Sequence, residues 1–212
     1  MIVLVGFMGA GKTTVGQLLA GRLGLPFTDS DQAIEQRAGR PVRQIFAEDG
    51  EPAFRALEHQ VITDLLDGPA LVLALGGGAA EHPGTRERLA TAQVVYLEVG
   101  YEQAMARVGG DPGRPLLARP DLAATYRRRL PLYAAVATLT VPTDHRLPEA
   151  VSQDVLAQLP RAPHLSSLNP FSSERTVVSR PPAPGFGSSK SVALQNYLTF
   201  TDARIPLNPP GT

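Results

Sequence analysis

Residues 6–13 read Gly-Phe-Met-Gly-Ala-Gly-Lys-Thr and match the pattern G-x-x-x-x-G-K-[ST] at every fixed position. This pattern is typical of a loop whose backbone N–H groups surround the phosphates of a nucleotide. It follows a short apolar run at residues 2–5 and precedes a segment with Val15, Leu19 and Leu23 at helical spacing. A strand, a glycine-rich loop and a helix are the context that the motif requires, so a glycine-rich turn that binds nothing is the weaker interpretation.

Lys12 is the only lysine among residues 1–189, and arginine supplies every other fixed positive charge in that span. A lysine ammonium is a compact point charge that suits the β- and γ-phosphates of a nucleotide triphosphate. The hydroxyl of Thr13 is placed to bind Mg²⁺. We therefore expect nucleotide contacts from Gly9, Ala10, Gly11, Lys12, Thr13 and Thr14.

Composition excludes several classes of protein. The chain has 212 residues, 43% of them hydrophobic, and no net charge, so nothing in the total favours nucleic acid or a membrane surface as a partner. It contains no cysteine, which excludes disulfides and cysteine-ligated metals. No apolar run approaches the length of a membrane span, and the short apolar start does not resemble a signal peptide. We expect a cytoplasmic protein.

Apolar runs that suit strands alternate with helical patterns. The strand candidates are 2–5, 26–28, 71–75, 94–98 and 138–141, and the helical patterns are 32–37, 42–47, 52–66, 83–91, 101–108, 121–136 and 148–158. This alternation predicts an α/β fold with a parallel, doubly wound sheet. Ligands bind such sheets at the carboxyl ends of the strands, where the motifs of this chain fall.

The composition changes after residue 160. Residues 161–212 contain eight Pro, eight Ser and three Gly, and they carry 5 basic and 2 acidic groups, against 15 basic and 18 acidic groups in residues 1–160. We predict one domain over 1–160 and a disordered or loosely attached tail over 161–212.

Asp29, Ser30 and Asp31 directly follow the second strand candidate. Two carboxylates two residues apart in extended chain point in opposite directions, so one can face a metal and the other an acceptor substrate. The alternative is that Asp29 or Asp31 merely caps the following helix. A Mg-nucleotide site needs an acidic partner for its metal, which favours the functional interpretation.

Two further motifs suit a small anionic substrate. Arg55 and Glu58 share a face of a predicted helix, either as a surface ion pair or as an arginine for a substrate carboxylate braced by the glutamate. Three consecutive glycines, Gly76, Gly77 and Gly78, follow the third strand candidate. They form either an ordinary tight turn or a backbone that a polar substrate can approach closely.

A basic, Gly/Pro-rich loop lies at about residues 109–120. It is predicted to be a mobile lid in which Arg114 can reach a transferring phosphate. Arg127, Arg128 and Arg129 follow, and at least one of the three is expected to lie on a solvated helix face. Arg129 stands out because Pro131 interrupts the regular hydrogen bonding of the next turn.

With these features together, residues 1 to about 160 resemble shikimate kinases. The motifs that carry the resemblance are the phosphate loop, Asp29-Ser30-Asp31, Phe54-Arg55-x-x-Glu58, Gly76-Gly77-Gly78, Arg114-Pro115-Leu116-Leu117 and Arg129-x-Pro131-Leu132-Tyr133. The resemblance implies a P-loop NTPase fold, a three-layer α/β/α sandwich with a five-stranded parallel sheet of order 2-3-1-4-5. It also implies ATP and shikimate as substrates. The tail has no counterpart in the family pattern, and we expect a monomer.

On the nucleotide side, the resemblance implies that Lys12 contacts the β- and γ-phosphates. Thr13 would bind one Mg²⁺ directly, and Asp29 would hold it through water. Arg107 and Arg146 match positions that flank the adenine.

On the acceptor side, the resemblance implies that Asp31 would orient the reacting hydroxyl of shikimate and could accept its proton. Arg55 and Arg129 would bind the shikimate carboxylate, and the glycines at 76–78 would donate N–H groups to the ring hydroxyls. Arg114 on the lid would neutralise the γ-phosphate. Two alternatives remain open: another small-molecule kinase, such as a gluconate kinase, and a non-catalytic nucleotide-binding module.

Overall fold

Five parallel strands form one sheet in the order β2-β3-β1-β4-β5. The strands are β1 (Ile2–Val5), β2 (Phe27–Asp29), β3 (Val72–Ala74), β4 (Gln93–Glu98) and β5 (Leu139–Pro142). The computed structural model of the chain describes residues 1–108 and 121–160. The sheet order and the parallel α/β class confirm the predicted fold.

The central strand is apolar because both of its faces are covered. Val3 and Leu4 in β1 have no exposed surface, and Ile2 pairs with Val72 on one side and with Gln93 on the other. A strand buried on both faces has to be a continuous apolar run rather than an alternating one. Strands β1, β3 and β4 therefore supply the middle of the main hydrophobic core.

Eight α-helices and one 3₁₀ turn lie among the described residues, with helices on both faces of the sheet. They are α1 (Lys12–Leu23), α2 (Ser30–Ala38), α3 (Val42–Glu48), α4 (Gly50–Leu66), the 3₁₀ turn (Ala79–Glu81), α5 (Pro83–Leu89), α6 (Tyr101–Val108), α7 (Leu122–Val136) and α8 (Pro148–Gln158). A second, smaller apolar cluster joins α2, α3 and α4 around Ile34, Ile45 and Phe54.

Two local expectations were wrong. Helix α2 begins at Ser30, two residues earlier than predicted, so Asp31 lies in its first turn rather than in extended chain. Leu23, at the end of α1, is 39% exposed and does not belong to the buried side of that helix. The helix predicted over 121–136 is confirmed as α7, which continues through Pro131 because the proline and Arg127, whose carbonyl loses its usual partner, are both exposed.

The strand order brings the sequence motifs to one edge of the sheet. The phosphate loop follows β1, Asp29 ends β2, and the three glycines follow β3 shortly after Ala74. Because β2, β3 and β1 are neighbours and parallel, their carboxyl ends lie side by side. The predicted lid at 109–120 and the predicted tail at 161–212 lie outside the described residues.

Candidate functional site

The phosphate loop leads directly into α1. Gly11 is the N-cap of that helix with φ of 89°, a left-handed conformation that a side chain would disfavour. The Lys12 ammonium donates hydrogen bonds to the carbonyl oxygens of Gly6 at 2.8 Å and Phe7 at 3.0 Å, so it lies over the loop. A helix N-terminus with free N–H groups and a nearby ammonium forms an anion-binding site.

A cavity of about 350 Å³ opens beside this loop. Its lining includes all six predicted nucleotide-contacting residues of the loop, Arg107 and Arg146. The guanidinium of Arg107 donates to the Gly9 carbonyl at 3.0 Å and to the Thr143 carbonyl at 2.5 Å. Arg146 pairs with Asp154 at 2.6 Å. The two arginines are thus held at the cavity by the protein itself.

Thr13 and Asp29 provide the oxygen atoms that a hard cation requires. The Thr13 hydroxyl donates to Oδ2 of Asp29 at 3.0 Å, and both side chains are accessible to solvent. The described residues contain no cluster of three or more His, Cys, Asp or Glu side chains suited to a metal. Mg²⁺ commonly binds one or two protein oxygens together with substrate phosphates, so this pair fits that ion.

Asp29 and Asp31 do not have the predicted extended arrangement, in which their side chains would point in opposite directions. Oδ1 of Asp29 accepts a hydrogen bond from the Asp31 amide at 3.0 Å and so caps α2, while its Oδ2 faces Thr13. Asp31 is an exposed residue whose Oδ1 lies beside Gly76. Reduced solvation by the surrounding site and the nearby charge of Asp29 raise its pKa above the ordinary value, against the opposing charges of Lys12 and Arg55.

The glycine turn is packed against polar side chains. A Cβ atom at Gly76 would lie 2.5 Å from Oδ1 of Asp31, and one at Gly78 would lie 2.4 Å from both terminal nitrogens of Arg55. Gly77 is roomier, because its Cβ would lie 3.6 Å from Nη1 of Arg129 and 3.8 Å from the Gly6 carbonyl oxygen. The turn therefore lies between the phosphate loop and the arginines.

Arg55 is held by carboxylates and aromatic rings. Its Nη1 donates to Oε2 of Glu58 at 2.6 Å, and its Cζ lies 5.2 Å from the centre of the Phe54 ring. Glu58 is only 2% exposed, so the pair is not the surface ion pair that the sequence also allowed. Burial raises the pKa of Glu58 to about 7, although Arg55 opposes this.

Arg129 lies in α7 with only 3% of its surface exposed. Its Nη2 donates to Oε2 of Glu81 at 2.8 Å, and its Nε has no hydrogen-bond partner among the described residues. Tyr133, one turn later, donates to the Gly77 carbonyl and fixes α7 against the glycine turn. Of the neighbouring arginines, Arg127 is exposed, which confirms that at least one of the three lies on a solvated helix face.

Ser30 and Glu81 are parts of the site that sequence reasoning missed. The Ser30 hydroxyl accepts a hydrogen bond from the Gly76 amide at 2.8 Å, and Glu81 contacts Arg55, Arg128 and Arg129. The signal for Ser30 was its place between two functional aspartates. Arg114, predicted to act from the lid, lies outside the described residues.

The family model for shikimate kinase matches residues 8–160. This chain belongs to the shikimate kinase family. A shikimate kinase from Thermobifida fusca is 50% identical over 165 residues, which span 76% of this chain and 96% of that protein. A solved structure described as shikimate kinase from Acinetobacter baumannii in complex with shikimate is 42% identical, with a TM-score of 0.69, over 73% of this chain and 89% of that one.

A gluconokinase structure from Sinorhizobium meliloti also matches, with a TM-score of 0.51 and 19% identity over 74% of this chain and 89% of that one. At that identity the likeness shows a shared fold and carries no argument about substrate. None of the helices in the described part of the chain is long and apolar enough to cross a membrane.

Proposed function

We propose that this protein transfers the γ-phosphoryl group of ATP to the 3-hydroxyl of shikimate, giving shikimate 3-phosphate and ADP in aromatic amino acid (chorismate) biosynthesis. One observation carries the proposal most directly. Gly77 lies between the phosphate loop and Arg129, so a substrate whose carboxylate meets the arginines would have its hydroxyls near the nucleotide. Membership of the shikimate kinase family supports the same acceptor.

The acceptor side matches a hydroxylated carboxylate. Arg55 and Arg129 bind the carboxylate, because planar guanidinium groups recognise carboxylates in a bidentate manner. The orphaned Nε of the buried Arg129 is an additional donor that a substrate oxygen would satisfy. Gly76, Gly77 and Gly78 line the place of the ring; the N–H groups of Gly77 and Gly78 donate to its hydroxyls, because the Gly76 amide already donates to the Ser30 hydroxyl.

The nucleotide side supplies charge. Gly9, Ala10, Gly11 and Thr14 surround the phosphates with backbone groups, and Arg107 and Arg146 flank the adenine at the cavity. Lys12 contacts the β- and γ-phosphates, and Arg114 contributes a second cation from the lid. Thr13 would hold one Mg²⁺ directly, and Asp29 would hold it through water. When bound, the ion neutralises phosphate charge.

The reaction itself needs positioning more than covalent help. The acceptor hydroxyl oxygen forms a bond to the γ-phosphorus, and the bond from that phosphorus to the oxygen it shares with the β-phosphate breaks. Asp31 accepts a hydrogen bond from this hydroxyl and orients it for in-line attack. Its raised pKa suits a group that takes the hydroxyl proton as the new bond forms.

An assay of ADP release with shikimate and gluconate in parallel tests the proposal. We expect turnover with shikimate that requires ATP and Mg²⁺, and little with gluconate. Turnover of gluconate alone would assign the protein to the other small-molecule kinases. Nucleotide binding without turnover of either acid would favour a non-catalytic module. Size-exclusion chromatography of the same sample tests the expected monomer, and fractionation of cells tests the expected cytoplasmic location.

A further inference from the structure

Glu81 lies at the end of the 3₁₀ turn and joins three arginines from two helices. Its Oε2 accepts from Nη2 of Arg129 at 2.8 Å and lies 3.7 Å from Nη2 of Arg55. Its Oε1 accepts from Arg128, at 2.9 Å from Nη2 and 3.2 Å from Nε. One carboxylate therefore connects the segment after the glycine turn to both α4 and α7.

The arginines that contact Glu81 differ in burial, and the contact with the buried Arg129 determines the structural role of Glu81. Arg128 is 59% exposed at its side chain, so its ion pair contributes little. Arg129 is 3% exposed, and Glu81 is the only carboxylate that bonds it among the described residues. A buried guanidinium without a partner is costly and would move toward water. Glu81 thus keeps Arg129 buried and oriented.

The remaining donors of Arg129 lie on the side of the glycine turn. A Cβ atom at Gly77 would lie 3.6 Å from its Nη1, and its Nε is without a partner among the described residues. Because Glu81 takes Nη2, the guanidinium plane is fixed while Nε is left without a partner among the described residues. The same carboxylate stands close to Arg55, whose Nη1 is held by Glu58.

The neighbouring arginines keep the carboxyl group of Glu81 in its ionised form. Burial opposes its ionisation, but the hydrogen bond and charge of Arg129, together with Arg128 and Arg55, outweigh burial and hold the pKa of Glu81 below its ordinary value. The carboxylate is therefore ionised at neutral pH. It offsets part of the positive charge of the three arginines.

We propose that Glu81 is a positioning residue for substrate recognition: it sets the orientation of Arg129, and with it Arg55, so that the two guanidinium groups receive the substrate carboxylate. This inference rests on the proposed function, because it takes shikimate as the acceptor. It concerns a side chain that does not itself touch the substrate. Its effect should therefore appear in substrate affinity and depend on the substrate's carboxylate.

The variant Glu81→Gln keeps the size of the side chain and removes its charge. We expect the KM for shikimate to rise about tenfold or more, as for loss of a charge-assisted hydrogen bond. The kcat and the KM for ATP should change little. The methyl ester of shikimate keeps the ring hydroxyls and lacks the carboxylate charge, so its KM should be the same in the variant and the wild type.

Asp64→Asn is the matched control, because it removes an exposed interhelical ion pair with Arg37 that is far along α4 from Arg55. It should leave every kinetic constant unchanged. An unchanged KM for shikimate in Glu81→Gln would overturn the inference while leaving the proposed function standing. Equal losses with shikimate and its ester would also overturn it, in favour of a general structural role. If the wild-type protein does not phosphorylate shikimate, the proposed function fails and this inference fails with it.

Discussion

The amide of Gly76 donates a hydrogen bond to the Ser30 hydroxyl across 2.8 Å; Ser30 directly follows β2, and Gly76 is the second residue after the neighbouring strand β3. Ser30 has no exposed surface and is the first residue of α2. The bond therefore fixes the distance between the aspartates around Ser30 and the glycine turn. If Asp31 orients an acceptor hydroxyl and the glycines receive its ring, this bond sets the width of the acceptor site.

Ser30→Ala should lower both stability and substrate affinity. It leaves the Gly76 amide without its partner, which costs about 1–3 kcal/mol when the group is buried. Thermal denaturation should show a lower Tm, and steady-state kinetics a higher KM for shikimate. Ser152→Ala is the control, because Ser152 is equally buried and its hydroxyl donates to the Glu149 carbonyl within α8. That variant should lose Tm without a change in KM for shikimate.

Lys12→Ala should remove most of the turnover and keep the fold. Loss of one preorganised cation or donor at the reacting group typically lowers kcat by about 10²–10³-fold. Lys12→Arg keeps the charge but replaces a compact ammonium with a planar fork, so it should restore only part of the rate. Single-turnover kinetics and circular dichroism measure the two properties. A Lys12→Ala protein that is folded and nearly fully active would refute the charge role of Lys12.

Asp31→Asn should lower kcat far more than it raises the KM for ATP. A positioned general base typically contributes about 10²–10⁴-fold, and the amide cannot take a proton from the hydroxyl. Steady-state kinetics with each substrate varied in turn measure both constants. A comparable rise in the KM for ATP would mean that Asp31, rather than Asp29, serves the metal and the nucleotide.

The fold and most of the site could be predicted from local sequence patterns. The alternation of apolar runs with helical patterns indicated the parallel sheet, and the phosphate loop, Asp29 and Arg55 belong to short motifs that can be recognised without distant partners. Ser30 and Glu81 could not be found in this way. Their partners Gly76 and Arg129 lie 46 and 48 residues away, so only the folded chain brings them together.

The placement of Asp31 shows a second limit of sequence reasoning. In extended chain, side-chain alternation would point Asp31 away from Asp29, whereas Asp31 lies in the first turn of α2 and its amide is capped by Asp29. From the sequence, capping and metal binding are alternatives for Asp29. Its two carboxylate oxygens face different partners, so the geometry permits both.

Gly77→Ala and Gly78→Ala should separate substrate recognition from packing. A methyl group at Gly78 would lie 2.4 Å from Arg55, so that variant should be destabilised by about 1–3 kcal/mol through displacement of the guanidinium. At Gly77 the nearest atom would be 3.6 Å away, so stability should stay within about 0.5 kcal/mol of wild type.

Both glycine variants should raise the KM for shikimate, but only Gly78→Ala should lower the Tm. The methyl group of Gly77→Ala would stand beside Nη1 of Arg129, where the substrate carboxylate is expected. Chemical denaturation and steady-state kinetics on the same preparations give the two quantities. Equal destabilisation of the two variants would contradict the packing of Arg55 against Gly78.

Glu58 should make the protein less stable as pH rises toward neutrality. Burial first, and the charge of Asp31 as well, raise its pKa from 4.5 to about 7, so the folded state binds a proton that the unfolded state releases. Its contribution to stability is therefore fully present below about pH 4.5 and is lost as pH rises through about 7.

Glu58→Gln cannot titrate, so its free energy of unfolding should vary less with pH over this window. Urea denaturation at intervals between pH 4.5 and 8 measures the difference, with Glu87→Gln on the exposed face of α5 as the control that should follow the wild-type profile. Parallel profiles for wild type and Glu58→Gln would show that the pKa of Glu58 is the same in the folded and unfolded states, contrary to this prediction.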